Sequence, residues 1–448
     1  MRHPIAYVFF IAFFIRLGYS ILIQFLHPES IYLYDSWGYL NIAYNLCHEG
    51  IYSQMTGDQL TADSTRTPFY SIYICLFHLL QLHGEWIVYT QALIGAFTAA
   101  IASQCALLIK RNRLSAFVVG LLVAFDIPNV YFSNTVLPEP WFGFFLVCAL
   151  FFLIKSVKYN EPTHRKYVML FLVLATYTKP IAIYLLVAIP FVLLIFNQQG
   201  IKNELVQLAK FMVIGTLLIS PWIYRNQQTF GGVFFSSIAE VNLLFHTASN
   251  IKAIATNSNR HTVEYEYRNS KPLSELSFER DPYAIPHFQK FARKECIEVV
   301  QQYPVVAFKM MLKSWVGFFI KPLRSYIGMQ INGKKLGEEH ALTNVDMQNS
   351  YWASFQLALK RANWLVQLAI VIQVLLLGSF YLSILLSLPL WFKSNWKTGV
   401  ILLSLILYFS VTSSITDVDA RFRGPIISYI ILLGYPIWCK ILAKYNYE

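Results

Sequence analysis

The chain has 448 residues, of which 56% are hydrophobic, 16% aromatic and only 13% charged, with a formal net charge of +12. That is too apolar and too poor in charge for a soluble globular chain of ordinary make-up, and it marks an integral membrane protein. Such a basic balance suggests nucleic acid in a soluble protein. Here much of it sits in short loops between apolar runs, where topology explains it, so no nucleic-acid partner is expected.

A span needs about 20 apolar residues to cross about 30 Å of hydrocarbon. Windows meeting that demand are 5–26, 85–109, 115–134, 140–158, 180–197, 205–224, 361–388, 396–414 and 424–442, with 167–178 the weakest. The reading is an all-α polytopic protein of about ten spans. Met1-Arg2-His3 and the apolar run after them look like a signal peptide, but Arg16 interrupts the run and no small-residue cleavage site follows. The first helix is therefore read as retained.

With the N-terminus inside, the loop at 27–84 lies outside and carries Glu29, Asp35, Glu49, Asp58 and Asp63 against Arg66. The opposite turns hold Lys110, Arg111 and Arg113, then Lys155, Lys158, Arg165 and Lys166, then Lys202, then Lys393 and Lys397, then Lys440 and Lys444, as the positive-inside rule requires. For this parity to hold, 68–82 must not cross. It is short, opens with Pro68 and contains His78 and Gln81, so it reads as a helix at the outer interface. Segment 305–322, punctuated by Lys309, Lys313 and Lys321, reads as interfacial or re-entrant. The organisation is then an N-terminal transmembrane core at 1–224 with its first exterior loop, an exterior helix-and-loop region at 225–360, and C-terminal transmembrane helices at 361–448.

The six cysteines show no CxxC spacing, and Cys75, Cys105, Cys148 and Cys439 lie in apolar stretches. Neither a zinc site nor a disulfide framework is indicated, and the pair to consider outside the membrane is Cys47 with Cys296.

Arg16 is costly inside the first span and needs a partner; Asp126 is the obvious one, read first as a buried pair that fixes helix packing. At the outer face, parity gathers Asp35, Arg66, Glu139, Lys179, Arg225, Arg421 and Arg423 at one membrane level. Singly each has a plain role: Lys179 and Arg225 as snorkelling anchors, Asp35 as a helix N-cap. Together, two acids and several cations suit transfer of a sugar from a polyprenyl-phosphate carrier. Arginine or lysine neutralises the charge growing on the departing phosphate, and one carboxylate, Asp35, takes the proton of a hydroxyl acceptor. Attack opposite the leaving group inverts the anomeric centre.

At these residues the chain resembles the GT-C glycosyltransferases, in particular the bacterial membrane group related to protein O-mannosyltransferases and to the lipid A aminoarabinose transferase. The resemblance rests on Asp35, Tyr39, Ala43 and Leu46 in the first exterior loop, then Gly50-Ile51-Tyr52-Ser53 and Arg66-Thr67-Pro68-Phe69-Tyr70. It continues with Leu137-Pro138-Glu139-Pro140, Thr178-Lys179-Pro180, Pro221-Trp222-Ile223-Tyr224-Arg225-Asn226 and Arg421-Phe422-Arg423-Gly424-Pro425. It implies a GT-C transmembrane core and an inverting, polyprenyl-phosphate-sugar-dependent transferase in a bacterial inner membrane, its site facing the periplasm or cell exterior and its acceptor a glycan, lipid or protein. Asp35 would be the catalytic base, Glu139 the second acid, and Tyr39 a cavity residue. Arg66, Arg225, Arg421 and Arg423, with Lys179, would contact the carrier phosphate. Where relatives often carry Asp-Glu this chain has Asp35-Ser36. Some relatives bind a divalent metal; Glu240 and His246 are present here, without a ligand spacing that fixes one. The competing reading is a transporter or flippase of a lipid-linked solute.

Overall fold

The computed structural model describes residues 3–443 except 58–59, 197–199, 277–280, 324–326, 329, 332–355, 357–362 and 417. Asp58, Lys444, the later part of the expected exterior region and the first two residues of the expected span 361–388 thus lie outside the described residues. Among the described residues every regular element is helical: α1 (Pro4–Leu26), α2 (Tyr34–His48), α3 (Pro68–Leu79), α4 (Gly84–Ile109), α5 (Arg113–Ala124), α6 (Ile127–Ser133), α7 (Glu139–Tyr159), α8 (Arg165–Thr178), α9 (Leu185–Ile195) and α10 (Ile201–Phe230), then shorter helices to Ile320 and the C-terminal set.

Among the described residues six helices are long and apolar enough to cross a membrane: α1, α4, α7, α10, Trp364–Ser394 and Trp396–Ser413. Three further pairs of described helices meet the same test together but are bent: α5 into α6 by 56°, Pro282–Gln302 into Pro304–Ile320 by 105°, and Ala420–Leu433 into Tyr435–Leu442 by 47°. The expected span 115–134 is therefore two helices. Pro128 explains the break: it has no N–H for the Ala124 carbonyl, and Asp126 restarts the helix by accepting from the Asn129 amide at 3.1 Å.

Contacts between helix ends test the parity. Tyr435 Oη donates to the Lys110 carbonyl at 3.0 Å, Asn395 Nδ2 to the Ile109 carbonyl at 3.3 Å, and Lys397 Nζ to the Phe196 carbonyl at 3.5 Å. The basic turns that the sequence assigns to one face do meet there. α3, with 12 residues, reaches only about 18 Å and cannot cross.

The helices between Ile238 and Ile320 pack around a separate apolar core that includes Leu244, Phe245, Ile251, Phe288, Ala292, Ala307 and Met310. Pro304–Ile320 turns by 105° from the helix before it. Its first half packs into that core, and its C-terminal carbonyls are held by Arg423.

Arg16 and Arg423, both buried, do similar work. Arg16 makes no ion pair with Asp126, contrary to expectation. Its guanidinium donates to the carbonyl of Ala12 in its own helix at 3.2 Å, and to those of Ala124 at 3.0 Å and Val123 at 3.2 Å, where it replaces amides that the break at Pro128 removes.

Candidate active site

α2 begins after Leu33, whose amide donates to Ser36 Oγ at 2.9 Å. Asp35 is thus not the N-cap; it stands one position inside the helix, where the helix dipole favours a carboxylate and the side chain is left for other partners. Both oxygens are taken. Arg66 Nη2 donates to Oδ1 at 2.9 Å and Arg421 Nη1 to Oδ2 at 2.6 Å.

Glu139 opens α7 between Pro138 and Pro140, which fix the chain at the helix start. Its Oε1 accepts from Lys179 Nζ at 2.7 Å and from Arg421 Nε. Its Oε2 is buried without a hydrogen bond. Lys179 reaches it because Pro180 ends α8 in an extended turn, with Thr178 tied to Thr67 Oγ1 at 2.9 Å. Arg421 sits in the short helix Ala420–Arg423, capped by Asp419. Residues from five places along the chain therefore form one network, Arg66–Asp35–Arg421–Glu139–Lys179, with three cations for two acids.

The network is graded in exposure. Asp35 keeps 29% of its side chain open, whereas Glu139 keeps 3%. Burial alone would raise the Asp35 carboxyl, but the charges of Arg421 and Arg66 more than offset it and hold the group well below the usual carboxylate range.

Arg66 is held from behind. Asp63 Oδ2 accepts from the amides of Arg66 at 2.7 Å and Thr65 at 3.1 Å, and the Arg66 guanidinium lies over the Tyr39 ring at 4.7 Å. Gly38 leaves room for this: a Cβ there would stand 3.1 Å from Gln54 Oε1 and 3.5 Å from Arg66 Nε. Burial raises the Asp63 carboxyl. Sequence reasoning gave Asp63 no role, although Asp63-Ser64-Thr65-Arg66 carries the signature of a side chain that bonds its own following amides.

Two expected phosphate contacts are placed differently. Arg225 lies one layer out, its Nη1 donating to the Asp63 carbonyl at 2.9 Å and its guanidinium 4.8 Å from the Trp222 ring centre. Arg423, 1% exposed, turns away from the network and donates to the carbonyls of Phe318 at 2.6 Å, Phe319 at 3.0 Å and Lys321 at 2.9 Å, closing the end of Pro304–Ile320. It is a structural cap.

The cysteine reading is also corrected: Cys47 is bonded to Cys75, and Cys296 is free and buried. Glu240 accepts from Arg293 Nε at 2.8 Å and Gln289 Nε2 at 3.2 Å, while His246 Nδ1 lies 3.0 Å from Arg260 Nη1. Among the described residues no group of three or more metal-ligating side chains comes together.

No curated protein matches the sequence. The fold is similar to the crystal structure of ArnT from Cupriavidus metallidurans in the apo state, with a TM-score of 0.40 and 13% identity over 94% of this chain and 76% of that one. A family profile matches residues 75–315, more than half of the sequence, and on that match the chain belongs to the family described as a domain of unknown function (DUF8201).

Proposed function

We propose that this protein is an inverting glycosyltransferase of the GT-C type, moving a sugar from a polyprenyl-phosphate donor to a hydroxyl acceptor on a lipid, glycan or protein. The observation that carries this is the network in which Arg421 bridges Asp35 and Glu139, flanked by Arg66 and Lys179. Three cations clustered at a partly buried site suit a bound anion. A polyprenyl-phosphate sugar is a phosphodiester with a single negative charge, and a second charge appears on its phosphate as the sugar leaves.

Asp35 as it stands is a poor base, because both oxygens accept from guanidinium groups. One arginine has to let go. The Arg66 guanidinium is held over the Tyr39 ring and its backbone is tied to Asp63, so Arg421 is taken as the partner that moves: on donor binding it turns from the acids to the phosphate. Asp35 then accepts the acceptor's proton from the open side of the site, the acceptor oxygen bonds to the anomeric carbon, and the bond from that carbon to the phosphate oxygen breaks on the opposite face. Lys179 and Arg66 remain to share the growing charge. Once Arg421 has turned away, the unpartnered Glu139 Oε2 would accept from a hydroxyl or amino group of the sugar.

Placement in a bacterial inner membrane, with the site and the helical region after α10 on the periplasmic side, is part of the same proposal. It is supported by the basic turns at the opposite face. Transport draws no comparable support, since Asp35, Arg66, Glu139, Lys179 and Arg421 gather at helix starts and ends on one face.

The test is transfer from a labelled polyprenyl-phosphate sugar by the purified full-length protein. Release of free polyprenyl phosphate together with a glycosylated acceptor of inverted anomeric configuration is expected. Movement of the intact donor across a proteoliposome membrane without its consumption would replace this reading with transport.

A further inference from the structure

The connection between α1 and α4 holds two helices that lie side by side and run the same way. Asp35, at the start of α2, meets Arg66, two residues before α3; Tyr39 packs on Tyr70 with ring centres 5.1 Å apart; Cys47, near the end of α2, is bonded to Cys75 of α3 with 5.9 Å between their Cα atoms. Parallel neighbours need a return strap, here residues 49–67. That strap is laced to α2, since Asn41 donates to the Gln54 carbonyl at 3.1 Å and Asn45 to the carbonyls of Ser53 at 2.7 Å and Met55 at 2.8 Å. At the far end from the ion pair, the tie between the two helices is covalent.

We propose that the Cys47–Cys75 disulfide is a positioning device for the Asp35–Arg66 pair, formed on the oxidising side of the membrane, and that it fixes the axial register of α2 on α3. A slip of one residue along a helix is about 1.5 Å. That is enough to take a hydrogen bond of 2.9 Å out of range, and aromatic packing tolerates such sliding where a disulfide does not. In forming the bond the two thiols lose their hydrogens and join sulfur to sulfur. Two electrons and two protons pass to the disulfide of a thiol oxidase, which leaves as a dithiol. Such oxidants work outside the cytosol, so the bond assigns the neighbouring acid network to the same side. The other four cysteines are buried and free, and three of them, Cys105, Cys148 and Cys439, lie in the helical bundle.

The activity arm of this inference rests on the proposed function; the thiol arm does not. Full-length protein in bacterial inner membranes is denatured with free thiols blocked, then reduced and tagged with a maleimide-linked polymer. Two tags are expected after reduction, and none in the C47S/C75S variant. Absence of new tags in the wild type overturns the inference outright. For positioning, C47S/C75S and, independently, wild type reduced after purification should lose about tenfold to a hundredfold in kcat. KM for the donor should stay within about twofold, and the acid limb of the pH profile should move to higher pH as Arg66 withdraws from Asp35. Two tags with an unchanged kcat and pH profile overturn the positioning role. If the wild type transfers no sugar, the melting temperature decides: Arg66→Ala should cost less in the C47S/C75S background than in wild type, and an equal cost refutes the coupling.

Discussion

Arg421 Nη1 lies 2.6 Å from Asp35 Oδ2, joining the first loop of the chain to the start of its last pass. The same guanidinium reaches Glu139, so one residue holds both acids of the site and ties three distant helix starts together. A site assembled this way is set by topology. Each contributor stands where a helix begins or ends at the same face of the bundle.

Replacing Asp35 with Asn keeps the shape and removes the charge. Transfer should fall by about 10²–10⁴-fold, the usual contribution of a positioned base, while binding of polyprenyl phosphate persists because the three cations remain. Measuring single-turnover transfer beside equilibrium binding of the carrier separates the two. A D35N protein that turns over like wild type would remove the base from the mechanism.

The Asp35 carboxyl is raised by burial and lowered further by Arg421 and Arg66, with a net depression in the folded protein. A carboxyl of this kind stabilises the fold above its unfolded value of about 3.9 and loses that contribution as pH falls through the folded value. The difference in melting temperature between wild type and D35N should therefore stay constant from pH 8 to about pH 4 and close below it. Thermal melts of detergent-purified protein across that range check the sign.

Arg421 and Arg423 are separated by one residue and do different work. Arg421→Ala should lower transfer by about 100-fold or more and cost less stability than Arg423→Ala, since the buried Glu139 keeps Lys179 and Asp35 keeps Arg66. Arg423→Ala strips donors from three carbonyls and should cost at least about 2 kcal/mol of stability. Equal effects of the two on stability would contradict their separation into site and cap.

Parity and charge were enough to bring Asp35, Arg66, Glu139, Lys179 and Arg421 to one face, because helix length and basic turns are written directly in the apolar pattern. What the pattern withholds is direction around a helix. Arg421 and Arg423 stand at the same height, and only packing against Pro304–Ile320 turns one inward to the acids and the other to the carbonyls. Cys75 was hidden for a similar reason. It looks like one more apolar position in α3, and nothing in sequence reveals that α2 lies alongside it in parallel. Arg16 looked like half of an ion pair because the loss of helical amides at Pro128 is a three-dimensional event, and the carbonyls it exposes are better partners than a carboxylate already used as a cap.

That account of Arg16 makes its own prediction. Arg16→Met keeps the volume and removes every donor, leaving the Ala124 carbonyl, which has no amide partner at Pro128, unsatisfied inside the bundle. A loss of about 1–3 kcal/mol should follow, read as a lower melting temperature. Gly95 offers a second route to the same defect, because a Cβ there would stand 2.5 Å from Arg16 Nε and 2.8 Å from its Cδ, forcing the guanidinium off its carbonyls. Gly95→Ala should thus destabilise by a similar amount. A Cβ at Gly95 would also stand 2.9 Å from Ser133 Oγ, but both changes displace the same guanidinium, so G95A/R16M should lose less than the sum of the single losses. Strict additivity would mean that Gly95 and Arg16 are independent, and that the bend at Pro128 is held by something other than the guanidinium.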